Sequence, residues 1–157
     1  MTHDRENDAA FEEFLELWRK LLVDSLVPGT VVVVEGERDR RSLRRLGLAG
    51  AIVAVHAGQT LSGTAQRLTA GSRRVILLTD WDSEGGRLAR RLKEFLSAER
   101  LDLDLDYRRR LAGALRGELV HVEGLAGWAR RNAERRKASI ESLLDLGDSA
   151  GPAGPTG

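Results

Sequence analysis

The chain has 157 residues, 41% hydrophobic and 31% charged, with a formal net charge of +1 and no cysteine. That balance fits one soluble globular domain with a sizeable core and excludes a protein that is strongly basic as a whole, a disulfide framework and any thiolate metal site. No apolar run reaches the length of a membrane span, and the polar start Met1-Thr2-His3-Asp4-Arg5 is not a secretory signal, so a cytoplasmic location is expected.

The first predicted element is a helix from Asp8 to about Leu26, with Phe11, Phe14, Leu15, Trp18, Leu21 and Leu22 on one stripe and Pro28-Gly29 as its stop. Its aromatic residues read as core. Thr30 to Val34 is a β-branched strand that ends in Glu35-Gly36. A helix from Asp39 to Leu46 follows, then a strand from Ala51 to Val55 with His56-Ala57-Gly58-Gln59 as its exit loop. Thr60 to Ala70 reads as a helix. Arg74 to Thr79 is an apolar strand running into Asp80-Trp81-Asp82-Ser83-Glu84-Gly85, and Glu84 to Ser97 as a helix.

Leu101 to Asp106 alternates leucine with aspartate. Three acids on one face make a poor strand, so it reads as a connector to a helix from Tyr107 to Leu115. Glu118 to Val122 is then the expected fourth strand, with His121 packed inside it or at an edge. Gly124 to Leu146 is read as one last helix, and 147–157 as a flexible tail rich in Gly and Pro.

Strands alternating with helices predict an α/β fold: a doubly wound, mainly parallel four-stranded sheet flanked by helices. In such sheets ligands sit beyond the carboxyl ends of the strands. Glu35 lies at that end of the first strand, and Asp80 and Asp82 at that end of the third. Alternation lets Asp80 and Asp82 point the same way, and a hard divalent cation would relieve their repulsion. Taken alone, an Asp-x-Asp at a strand end is more often a solvated turn.

The combination Glu35-Gly36-x-x-Asp39 after one strand and Asp80-x-Asp82-x-x-Gly85 after another, with Gly58 closing the strand between them in sequence, resembles the Toprim domain. That module is shared by topoisomerases, bacterial-type primases and several nucleases. The match runs from about Thr30 to Val122, and the whole chain is most similar to small stand-alone archaeal Toprim proteins. It is also similar to ribosomal-RNA maturation nucleases and to the primase core. The resemblance implies a Toprim domain over 30–123, preceded by an amphipathic helix packed on the core (1–29) and followed by a C-terminal helix (124–146). It implies Glu35 as general acid or base and metal ligand, Asp80 and Asp82 as Mg²⁺ ligands with Mn²⁺ as an alternative, and Glu84 as a further acid. Gly36, Gly58 and Gly85 match turn glycines and Asp39 an acidic position opening the next helix. The expected partner is nucleic acid, RNA or DNA.

Departures from the family narrow the activity. The sole tyrosine, Tyr107, has no second domain around it, so strand passage is not expected, and without cysteine there is no zinc module of the primase kind. Mg²⁺-dependent cleavage of structured RNA or DNA remains, alongside a non-catalytic Toprim module that binds nucleic acid or assembles with a protein partner. A phosphoacceptor receiver would need a lysine near the last strand, and Lys20, Lys93 and Lys137 all fall in predicted helices. Arg38 and Arg87, nearest the two acidic turns, are the expected substrate contacts, with His56 and Gln59 in the second strand's exit loop. Arg108 and its neighbours read as surface charge.

Overall fold

The computed structural model describes residues 2–55, 60–97 and 101–147. In chain order these are α1 (Thr2–Ser25), β1 (Thr30–Val34), α2 (Glu37–Arg45), β2 (Ala51–Ala54), α3 (Leu61–Gly71), β3 (Arg74–Leu77), α4 (Ser83–Leu96) and β4 (Asp102–Asp104). After them come α5 (Asp106–Leu115), a 3-10 turn (Val122–Gly124), α6 (Leu125–Arg135) and α7 (Ile140–Leu143). The strands form one sheet in the order β2-β1-β3-β4, and every pair is parallel.

The strands are apolar on both sides because helices cover both faces. Val32, Val34, Ile76 and Leu78 face the larger core, built with α1, α2, α5, α6 and α7. Val33, Val75 and Leu77 face the smaller one, under α3 and α4. In the larger core Phe14 stacks on Trp18 at 5.4 Å between ring centroids and meets Trp128 edge-on at 5.2 Å. The Trp18 indole N–H donates to the Leu46 carbonyl at 2.9 Å, which satisfies the one polar atom it buries.

The sheet departs from the sequence reading at its fourth strand. Asp102–Asp104 pairs with β3, whereas Glu118–Val122 is not a strand. Arg74 explains the first difference. It lies opposite Asp102 in the register and bonds Asp104 at 2.5 Å, with Asp102 and Asp24 3.7 and 3.6 Å away. An aspartate row that would disfavour a strand is offset by one arginine on the neighbouring strand. Asp24 also accepts from the Tyr107 hydroxyl, so α1, β3, β4 and α5 meet at one polar knot. The second difference follows from where the backbone groups of 119–122 go: the Leu119 and Val120 carbonyls and the Val122 N–H bond to the turn after β3 rather than to a strand. The last helix is interrupted, with Lys137 at φ 54 and Ser139 capping α7 through the Ser142 N–H.

Phe14, with no exposed surface, is central to the larger core. Phe14→Ala is expected to lower unfolding free energy by about 3–5 kcal/mol, read by urea denaturation with an unchanged m-value.

Candidate metal centre

β1 and β3 are neighbours, and the chain leaves β1 towards β2 on one side and enters β3 on the other. This is the switch point where a doubly wound sheet opens a crevice. Glu35 leaves β1 there and Asp80 follows β3. The Glu35 carboxylate accepts the Asp80 backbone N–H at 2.9 Å, which fixes the two strand ends against each other. The Asp80 carboxylate accepts the Val122 N–H at 2.7 Å, and the Trp81 N–H donates to the Val120 carbonyl at 3.0 Å.

Both helices that leave the site are capped by its acids. Asp82 caps α4 by accepting the Gly85 N–H at 2.7 Å. Asp39, in the first turn of α2, reaches back to the Gly36 N–H at 3.0 Å. Glu35, Asp39, Asp80 and Asp82 thus each commit one oxygen to a backbone N–H. One ligand atom from each of Glu35, Asp39 and Asp80 falls within a 4.8 Å group, and so does one from each of Asp80, Asp82 and His121. Asp80 belongs to both groups.

Gly85 is required sterically. A Cβ there would lie 1.8 Å from the Asp80 carbonyl oxygen. The Thr79 hydroxyl donates to the Gly85 carbonyl at 2.8 Å and closes the loop from inside. Gly36 is extended (φ −152), and a Cβ there would meet nothing within 4 Å. Its surroundings leave open space beside Glu35.

Charge in the site is strongly unbalanced. Among the described residues no lysine or arginine is ion-paired with Glu35, Asp39, Asp80 or Asp82; only His121 comes close, its Nε2 3.2 Å from an Asp82 oxygen. Burial, first, and then the hydrogen bond and charge of Glu35 push the Asp80 carboxyl up to about 8, against the bond from Val122. Burial also raises Asp39, with the charges of Glu35 and Glu123 adding to it. A largely half-buried acid cluster in which Asp80 and Asp39 hold their protons more tightly than usual, with no lysine or arginine paired to it among the described residues, is the chemistry that a divalent cation satisfies. The residues present therefore fit a metal.

Arg108 sits beside the acids without pairing with them. Its guanidinium donates to the Thr79 carbonyl at 3.1 Å and the Asp80 carbonyl at 2.7 Å. Burial lowers its proton affinity, and the charges of Glu35, Asp82 and Asp80 work the other way. Sequence reasoning placed Arg108 on the remote surface and His121 in a strand. Neither carries a local motif, since both reach the site only through the return of the chain after β4. His121 adds an imidazole nitrogen to a donor set that the sequence presented as all oxygen.

Glu84 and Arg87 are exposed on the first turns of α4, and with Glu35, Leu88 and Arg91 they line a recess of about 230 Å³. Arg38 lines a separate recess with Arg41, Arg45 and Glu123. Neither Glu84 nor these arginines falls in the two ligand groups. His56, Gly58 and Gln59 lie outside the described residues.

The Toprim domain family matches residues 30–112. A UPF0292 protein of Methanosarcina barkeri is 33% identical over 122 residues, covering 71% of this chain and 84% of the relative. One from Archaeoglobus fulgidus is 38% identical over 100 residues, covering 64% and 77%. Among solved structures, a putative protein from Aquifex aeolicus superposes with a TM-score of 0.59 at 26% identity, covering 69% of this chain and 94% of that one.

The raised Asp80 pKa gives a signed expectation. Between about pH 4 and 8 the unfolded chain has lost the Asp80 proton while the folded chain keeps it, so folding loses stability as pH rises through that window. Asp80→Asn, which keeps an acceptor for the Val122 N–H, should therefore raise the metal-free Tm at pH 8 by about 3 °C or more, with the gain gone near pH 4. Added Mn²⁺ should raise the Tm of the wild type and leave that of the variant in place.

Proposed function

Because the chain belongs to the Toprim family, we propose that it carries out divalent-metal-dependent phosphodiester chemistry on nucleic acid, with Mg²⁺ as the resident metal, Mn²⁺ as a substitute and strand cleavage as the reaction. The observation that carries this reading is the set of four carboxylates at two adjoining strand ends. Each is oriented by a backbone N–H, and none is ion-paired with a lysine or arginine among the described residues.

Glu35, Asp80 and Asp82 would hold the metal, with Asp80 as the acid common to two ligand groups, one with Glu35 and Asp39 and the other with Asp82 and His121. A bound divalent ion supplies charge neutralisation on phosphoryl oxygens and a more acidic coordinated water. The chain's own residues supply position. Glu35, fixed by the Asp80 N–H, can take or return a proton at the reacting oxygen. Arg108 anchors the backbone of the loop, so the carboxylates keep their geometry when the substrate's charge arrives. Arg38 and Arg87, exposed on the helices that start at the acids, would contact the substrate's phosphates, and Glu84 would lie at the rim. No helix among the described residues is long and apolar enough to cross a membrane.

The test is cleavage of structured RNA and DNA substrates with Mg²⁺, Mn²⁺ or EDTA. Glu35→Gln is expected to lower turnover about a hundredfold or more while substrate binding changes little, since shape is kept and only the charge and proton acceptor are lost. A protein that binds nucleic acid equally well with and without metal and cuts none of the substrates would instead be a binding or assembly module.

A further inference from the structure

A second feature opens from the acid cluster on the side away from Arg87. Between α4 and α5 lies a cleft of about 810 Å³ that begins at Asp82 and Arg108 and runs along both helices. On α4 the residues facing it are Ser83, Gly86, Ala89, Arg90 and Lys93, spaced as one helical face. On α5 they include Arg108, Arg109, Ala112 and Arg116, again one face. Small side chains keep it open: a Cβ on Gly86 would come only to 3.6 Å from the Arg108 guanidinium.

The lining divides by chemistry. The floor is the apolar part, where Trp81, Ala89 and Ala112 are buried and present little surface and Leu105 is half-buried. The walls are cationic. Asp106 neutralises Arg109, but Arg90, Lys93 and Arg116 have no ion-pair partner among the described residues. From Gly86 to Lys93 the α4 side of the cleft runs about 10 Å along the helix axis away from the acids, with its cations, Arg90 and Lys93, at the far end.

We propose that this cleft is the track of a single-stranded polynucleotide segment, holding the nucleotides next to the one presented to the acid cluster. The proposal rests on the reading of that cluster as a site for nucleic acid. Cations beside a narrow apolar surface match the phosphates of a strand whose unpaired base lies against that surface. A duplex offers phosphates but keeps its base faces stacked inside, so it has no use for the floor. Cleft continuity with Asp82 sets the direction: the strand passes from the acids over Arg108 and out between Lys93 and Arg116.

Fluorescence anisotropy of labelled dT and rU 12-mers and of a 12-base-pair duplex, all in EDTA, tests the track without relying on catalysis. The wild type should bind single strands more tightly than the duplex. Arg90→Ala/Lys93→Ala/Arg116→Ala should weaken single-strand binding about tenfold or more and reduce the slope of log K against log salt by about 2. Arg130→Ala/Arg131→Ala/Arg135→Ala, the same charge change on exposed positions of α6, should have little effect. Gly86→Leu, which fills the cleft without changing charge, should weaken binding as well. A stronger grip on rU than on dT assigns the natural strand as RNA, and the reverse as DNA. Equal losses in both triple variants, wild-type binding by Gly86→Leu, duplex binding as tight as single-strand binding, or no binding by the wild type would each overturn the track. Binding through the cleft with no cleavage under any metal would leave the track standing and remove the catalytic reading of the acids.

Discussion

Asp80 is the residue on which the rest of the site depends. Its backbone N–H is held by Glu35, its carbonyl by Arg108 and its carboxylate by the Val122 N–H. These three bonds join the ends of β1 and β3, the helix α5 and the segment before α6 at one peptide unit. The Gly85 Cα packs so close to the Asp80 carbonyl that no side chain fits. The turn is therefore determined from several directions, as a cluster of like-charged acids needs to be. The same arrangement leaves a half-buried carboxyl whose pKa is pushed up to about 8, first by burial, so the fold carries a cost at neutral pH that a cation would relieve.

The parts of this arrangement that were legible in the sequence are those written in local chemistry. β-branched and apolar runs marked β1, β2 and β3, and the acids and glycines that follow them marked the site. The strand order puts Glu35 beside Asp80 because the first and third strands of a doubly wound sheet are neighbours where the order reverses. What escaped the reading is non-local. Asp102–Asp104 looked like a poor strand because its acids were weighed without Arg74, which lies far away in sequence and directly across in register. Glu118–Val122 looked like a strand because its pattern is apolar, yet its backbone is consumed by the Asp80–Trp81 turn. Arg108 and His121 reach the acids only because of that packing, and no spacing rule in the sequence would point to them.

Electrostatics divides two neighbouring regions of the surface. The crevice itself is acidic and without paired lysine or arginine among the described residues, whereas the α4–α5 cleft beside it carries unpaired cations over an apolar floor. A polyanion would be repelled by the first and held by the second. A divalent ion in the crevice would reverse that repulsion at the reacting phosphate alone, so binding along the cleft and chemistry at the acids would be separable functions of one continuous surface. Arg108 stands at the junction, bonded to the carbonyls of the acidic loop and lining the cleft.

Anomalous diffraction from crystals soaked in Mn²⁺ would read directly whether the acids at the ends of β1 and β3 form a metal centre. A peak within coordination distance of Asp80, about 2.0–2.5 Å, shared with Glu35 or with Asp82, is expected. Crystals that hold no Mn²⁺ at Asp80 at millimolar concentrations, with or without a bound nucleotide phosphate, would contradict it.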